Sequence, residues 1–245
     1  MGISWRYLAV ELAVGVWGLL SGADFYDAWN ISGFAGMVRR AFDPAFIQSL
    51  SVVGFFILGW LLIGLIAIDW EWQRLPDALT LTGIAIGMFL VCVQAVFLGP
   101  TDDQVVLNTT HQLRLSSPGS FAAKGNVFLT GPEALIFGRL AAVCGAALIL
   151  LLVRWGYRAL RGKDGLGLGD VKMLAMVTAF LGFWPAVLTL FLGTMLAAVY
   201  GVWLMVRGRA RMGSRLPLGS FLGAGGLFAA VFGDAVIGWY TRLLR

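Results

Sequence analysis

Apolar stretches of eighteen or more residues recur along the whole chain, and each is long enough to cross a hydrocarbon core of about 30 Å. This feature constrains the fold more than any other. Only 13% of the 245 residues are charged, against about 25% in an ordinary soluble domain, and the mean hydropathy is +0.85. The expected fold class is therefore all-α, a polytopic transmembrane helical bundle of about seven spans. Residues 1–245 form one membrane-embedded domain in this reading. The 33 glycines fall largely inside the apolar stretches, which suits close helix packing or broken helices in lipid.

The spans are expected near residues 5–20, 47–68, 78–98, 133–153, 170–183, 185–206 and 217–240, the fifth being short. Arg6 is a weak basic flank and Glu11 interrupts the first apolar run, so the N-terminus reads as a retained helix rather than a cleaved signal peptide. Alternate connections differ sharply in charge. The N-terminus, the 69–77 loop, the 154–172 segment and the 207–215 loop hold eleven of the eighteen Lys and Arg residues. The positive-inside rule puts these in the cytoplasm and makes the 99–132 connection an extracytoplasmic loop insertion. Asp69 and Asp170 then share the cytoplasmic face, a result reached without using their chemistry.

A net charge of +5 does not point to nucleic acid in so apolar a chain, because basic loops mainly set topology and meet anionic lipid. Cys92 and Cys144 are isolated, without a CxxC or a metal-ligand spacing, and read as buried small hydrophobes. The single histidine, His111, lies in a polar loop, so histidine catalysis is not expected, nor is a multi-histidine zinc site. No metal or other cofactor is expected.

Two carboxylates stand out. Asp69 ends one apolar span and Asp170 begins another, positions where an ionisable group is costly unless paired, solvated or neutralised. Asp170 could simply cap the helix that follows it. Against that, Gly165, Gly167 and Gly169 alternate just before it. Glycine opens backbone conformations closed to other residues and lets another chain approach closely. The stretch is not a phosphate loop, because the Lys-Ser/Thr ending is missing. Gly167-Leu-Gly169-Asp170 at the mouth of a span resembles instead the GxGD arrangement of intramembrane aspartic proteases.

Four segments carry a narrower resemblance. The run from Asp69 through Arg74, Pro76 and Asp77 to Thr80 is similar to the first active-site segment of type IV prepilin peptidases. The run from Gly162 to Ala175 is similar to their second. Residues from Arg6 to Leu12 resemble the start of an earlier family helix, and Leu216-Pro-Leu-Gly-Ser-Phe221 the start of the last. The resemblance implies Asp69 and Asp170 as the catalytic pair. It further implies an inner-membrane endopeptidase of bacterial type that removes a short basic leader from a prepilin or pseudopilin, in a type IV pilus or type II secretion system. The cut would follow a glycine, just before an apolar helix. Bacterial members usually carry an additional cytoplasmic domain with paired CxxC motifs, linked to N-methylation of the product. The chain starts almost where that domain would end, so methyltransferase activity is expected to be absent.

Peptide hydrolysis by two aspartates needs one ionised and one protonated carboxyl sharing a proton, because adjacent like charges do not both ionise cheaply. Partial burial disfavours the doubly ionised state further, which would let such a pair work near cytoplasmic pH. Around the pair, Asp77 after Pro76 is expected to cap the third span. Lys172, two positions past Asp170, is expected to face away from it, anchoring lipid phosphate or tuning the pair. Glu11 is expected either to pair inside the bundle or to bind substrate, and Trp70, Trp72, Trp155 and Trp184 to anchor at the interface. The rival readings are an ion- or proton-coupled transporter using the same carboxylates and a catalytically silent scaffold. Oligomeric state is not legible.

Overall fold

The computed structural model describes residues 5–32, 44–73, 75–97, 132–162, 166–208 and 217–243. Every described element is a helix. They are α1 (Trp5–Ser32), α2 (Pro44–Trp72), α3 (Asp77–Phe97), α4 (Pro132–Arg161), α5 (Leu168–Leu181), α6 (Phe183–Val206) and α7 (Leu218–Leu243). Each matches one expected span. Four of them are long and apolar enough to cross a membrane, along 50–72, 77–95, 135–160 and 183–206; α1 and α7 hold shorter apolar stretches, 8–21 and 218–233. The expected 99–132 loop lies outside the described residues, apart from Pro132, which opens α4.

α5 organises the bundle. Its 14 residues rise about 21 Å, too little for a full hydrocarbon core. The residues from Asp170 to Ala179 are buried on nearly every side, as befits a helix that is apolar all round. It lies among α2, α3, α4, α6 and α7. Leu58, Leu61, Leu62 and Leu65 of α2 meet Met173, Met176 and Val177 of α5 and Leu222 of α7 in one core cluster. On its other side, Ala146 and Leu150 of α4 and Ala186 of α6 close on Val171 and Leu174.

Because α5 stops short, its last carbonyls would be left in an apolar setting. Gly182 ends the helix with φ +94°, a conformation that favours glycine, and its N–H donates to Thr178 O at 2.9 Å. Arg139 Nη1 lies 3.4 Å from both Thr178 O and Phe180 O, a cation at the negative end of the helix dipole. Beyond this end lies a cavity of about 820 Å³ lined in part by Ser51, Gln94, Arg139 and Pro185.

Glycines do serve close packing. A Cβ at Gly193 of α6 would fall 2.9 Å from Leu222 Cα, and one at Gly225 of α7 would fall 2.8 Å from Thr189 O. The α6–α7 pair therefore packs backbone to backbone. α1 packs on α2, where Trp17 stacks on Phe55 with centroids 4.4 Å apart.

Several expectations change. α1 continues past residue 20 to Ser32, α2 through Asp69 to Trp72, and α4 through Arg154 and Arg158 to Arg161, because a helix persists past the hydrocarbon once its side chains reach polar surroundings. Cys144 is exposed and Cys92 half-buried rather than both buried, because apolar exposure is normal on a lipid-facing surface. Trp70, Trp72, Trp155 and Trp184 are all exposed near helix ends.

Candidate active site

α2 ends where α3, α5 and α7 begin, and the conspicuous carboxyls gather at that end. Asp69 lies in the last turn of α2 and is only 5% exposed. Gln73 then takes a left-handed conformation (φ +49°), and its N–H donates to Asp69 O at 2.9 Å, which closes the helix. The chain turns at once, so Leu75 is carried back under the bundle and packs on the α2–α5–α7 core.

Asp170 is 9% exposed, in the first turn of α5. It is not the N-cap of that helix. Gly167 holds the cap position, and Asp170, three residues on, accepts a hydrogen bond from the Gly167 N–H at 3.2 Å. That is the carboxylate half of a capping box; glycine has no side chain to supply the other half. Gly167 has φ −75°, open to any residue, so its backbone does not demand glycine. Space does more: a Cβ there would sit 3.2 Å from Asp170 Oδ2. At Gly169 the close approach is plain, because a Cβ would lie 2.9 Å from Leu75 Cβ.

The third contributor is the start of α7. The Ser220 N–H donates to Asp69 Oδ2 at 2.7 Å, and Ser220 Oγ lies 3.0 Å from the same oxygen. Ser220 Oγ is also 3.2 Å from Ile66 O. Gly219 lets this happen: a Cβ there would fall 2.9 Å from both Asp69 Cγ and Asp69 Oδ2, and 3.0 Å from Leu75 Cδ1. Leu75 thus touches the glycine before Asp170 and the glycine beside Asp69. Both carboxyls lie at the same end of the bundle, next to glycines that Leu75 approaches. Neither Gly219 nor Ser220 was expected as a site residue. The signal was the segment 216–221 itself, whose position in the fold the sequence does not reveal.

The flanking residues sort themselves by geometry. Lys172 reaches toward α3, where its Nζ lies 2.6 Å from Asp77 Oδ1. Asp77 is not the N-cap of α3. Pro76 holds that position, its carbonyl accepting from Leu79 N–H at 3.2 Å and Thr80 N–H at 3.3 Å, while the Lys172 cation draws the Asp77 carboxylate across to α5. Glu11 is exposed. It lines a groove of about 500 Å³ between α1 and α2, with Ile63, Trp70 and Glu71. Beside Asp69, Trp70 meets Tyr200 of α6 and Phe221 of α7, with centroids 6.0 and 6.4 Å away.

Residues 119–202 match the family described as the type IV leader peptidase family, a segment that includes Asp170 but not Asp69. Among curated proteins, the chain is 30% identical to a prepilin leader peptidase/N-methyltransferase of Stutzerimonas stutzeri, over 99% of this chain and 64% of that protein. It is 30% identical to a protein of the same description from Pseudomonas putida, over 76% and 52%. A third, from Pseudomonas aeruginosa, is 27% identical over 97% and 62%. The chain thus spans between about half and two thirds of the length of these relatives. No solved structure matches it. Residues 119–202 are thus similar to the type IV leader peptidase family, and nearly the whole chain is similar in sequence to prepilin leader peptidase/N-methyltransferases.

Proposed function

We propose that this chain is a membrane aspartic endopeptidase that removes the basic leader from a type IV prepilin or pseudopilin. Asp69 and Asp170 act in it as a pair at the cytoplasmic face of a bacterial inner membrane. The observation that carries the reading is the burial of both carboxyls around Leu75, at one end of a bundle whose other described parts are largely apolar. The relatives' descriptions support prepilin as the substrate class, and the charge of the connections supports the cytoplasmic face.

In this reading one carboxyl is ionised and takes a proton from water as the water attacks the scissile carbonyl. The other is protonated and polarises that carbonyl. Collapse of the tetrahedral intermediate breaks the C–N bond, and the proton passes to the leaving amine. The mature helix of the substrate stays among the apolar spans, while its leader remains in water.

Co-expression with a prepilin tests the reading through a gel shift for leader loss. An unshifted precursor beside well-inserted protein contradicts it, and ion flux in liposomes dependent on Asp69 and Asp170 would favour a transporter. The pH–rate profile should peak near neutrality. A peak below about 4, the regime of soluble aspartic dyads, contradicts a pair held in a shared-proton state by burial.

A further inference from the structure

Resting on the peptidase reading, we infer that Ser220, at the start of α7, is a positioning residue that holds Asp69 as the ionised, water-activating member of the pair and leaves the proton on Asp170. Two donors converge on one oxygen, Asp69 Oδ2: the Ser220 N–H at 2.7 Å and the Ser220 hydroxyl at 3.0 Å. Ser220 is 4% exposed, so water does not compete freely for these donors. The Ser220 N–H is also one of the first-turn donors that a helix cannot satisfy internally, at the positive end of the α7 dipole. Asp69 therefore terminates a helix start that needs an acceptor, and an ionised carboxylate is the strongest acceptor available.

Asp170 is treated differently. Its carboxylate accepts one hydrogen bond, from Gly167 N–H at 3.2 Å. Among the described residues it has no side-chain donor, since Lys172 is turned to Asp77. Two donors against one make Asp69 the cheaper carboxyl to ionise, and Asp170 the cheaper one to keep protonated. Asp69 Oδ1 has no partner among the described residues and is free to accept the proton of the attacking water.

The serine hydroxyl also has a second acceptor. Ser220 Oγ is 3.2 Å from Ile66 O, and one hydroxyl proton serves one strong bond at a time. While Asp69 is ionised, the hydroxyl donates to Oδ2. When Asp69 Oδ1 takes a proton from water, the charge on Oδ2 falls and the hydroxyl is free to swing to the Ile66 carbonyl. No proton leaves Ser220 in either state.

The groups that share this region are Asp170 on α5, the Asp77–Lys172 pair between α3 and α5, Glu71 on α2 and Tyr200 on α6. Residues 218–223 of α7 contain no ionisable side chain. The test compares wild type, Ser220→Ala and Ser220→Thr in vesicles of phosphatidylethanolamine and phosphatidylglycerol, with a purified prepilin carrying its basic leader. Removing a hydrogen bond to a charged group should lower kcat in Ser220→Ala by about tenfold to a hundredfold, with KM unchanged. Ser220→Thr should restore most of the rate. Less support for the ionised base should also move the low-pH limb of kcat/KM to higher pH, leaving the high-pH limb in place. A wild-type kcat and profile in Ser220→Ala overturns the inference while the aspartate pair stands, and so does an equal loss in Ser220→Thr. Failure of the wild-type protein to cleave at all removes the peptidase reading and this inference with it.

Discussion

Asp69→Asn and Asp170→Asn should each lower prepilin cleavage by on the order of a thousandfold or more, with the protein still inserted and folded. The size follows from chemistry that one carboxyl cannot perform alone. Positioned general acid–base catalysis contributes about 10²–10⁴-fold, and asparagine can neither take the proton of water nor hold one for the carbonyl. The fold should survive because asparagine keeps the shape. In the first variant the side-chain amide carbonyl can still accept from Ser220, and in the second it can still accept from Gly167 N–H, in place of the carboxylate contacts seen now. Leader loss on a gel gives the activity, and membrane content with thermal unfolding in detergent gives the fold. Unfolding of both variants in parallel with their loss of activity would reduce the aspartates to structural caps.

The second large effect is expected where no charge changes. Gly219→Ala should cut kcat by about a hundredfold, the scale of an ångström-size misplacement of a reacting group. The added Cβ would fall 2.9 Å from Asp69 Cγ and Oδ2 and 3.0 Å from Leu75 Cδ1, so the carboxyl itself must move. Stability should change little by comparison, because alanine is favoured over glycine within a helix by about 1 kcal/mol, which offsets part of the crowding. Full activity in Gly219→Ala would show that Asp69 has room to move without loss, and would weaken the claim that its position matters.

Much of this was legible in the sequence, for a physical reason. An aspartate at the end of an apolar run is costly, so Asp69 and Asp170 stood out before any contact was known. The shortness of α5 was visible because Gly167 to Asp170 and Trp184–Pro185 bracket it. Its consequence was not: a helix too short for the bilayer is buried on all sides and sits at the middle of the bundle, which depends on five neighbours. The helix ends were misjudged at Ser32, Trp72 and Arg161 because hydropathy marks where lipid ends, and the backbone hydrogen bonds continue beyond it. Asp77 resembled a cap by position, yet Pro76 takes the cap and Lys172 takes the carboxylate. Gly219 and Ser220 gave no local sign of their contact with Asp69. A serine after a glycine is ordinary anywhere in a chain, and the partner lies on a helix far away in sequence.

The central claim is that Asp69 and Asp170 together cut a leader peptide, and intact-mass analysis of a prepilin incubated with reconstituted protein tests it most directly. Wild-type protein should release a mature fragment that begins just after the glycine preceding the apolar helix, while Asp69→Asn and Asp170→Asn leave the precursor mass intact. Full conversion by either variant, or no conversion by the folded wild type, would contradict the account.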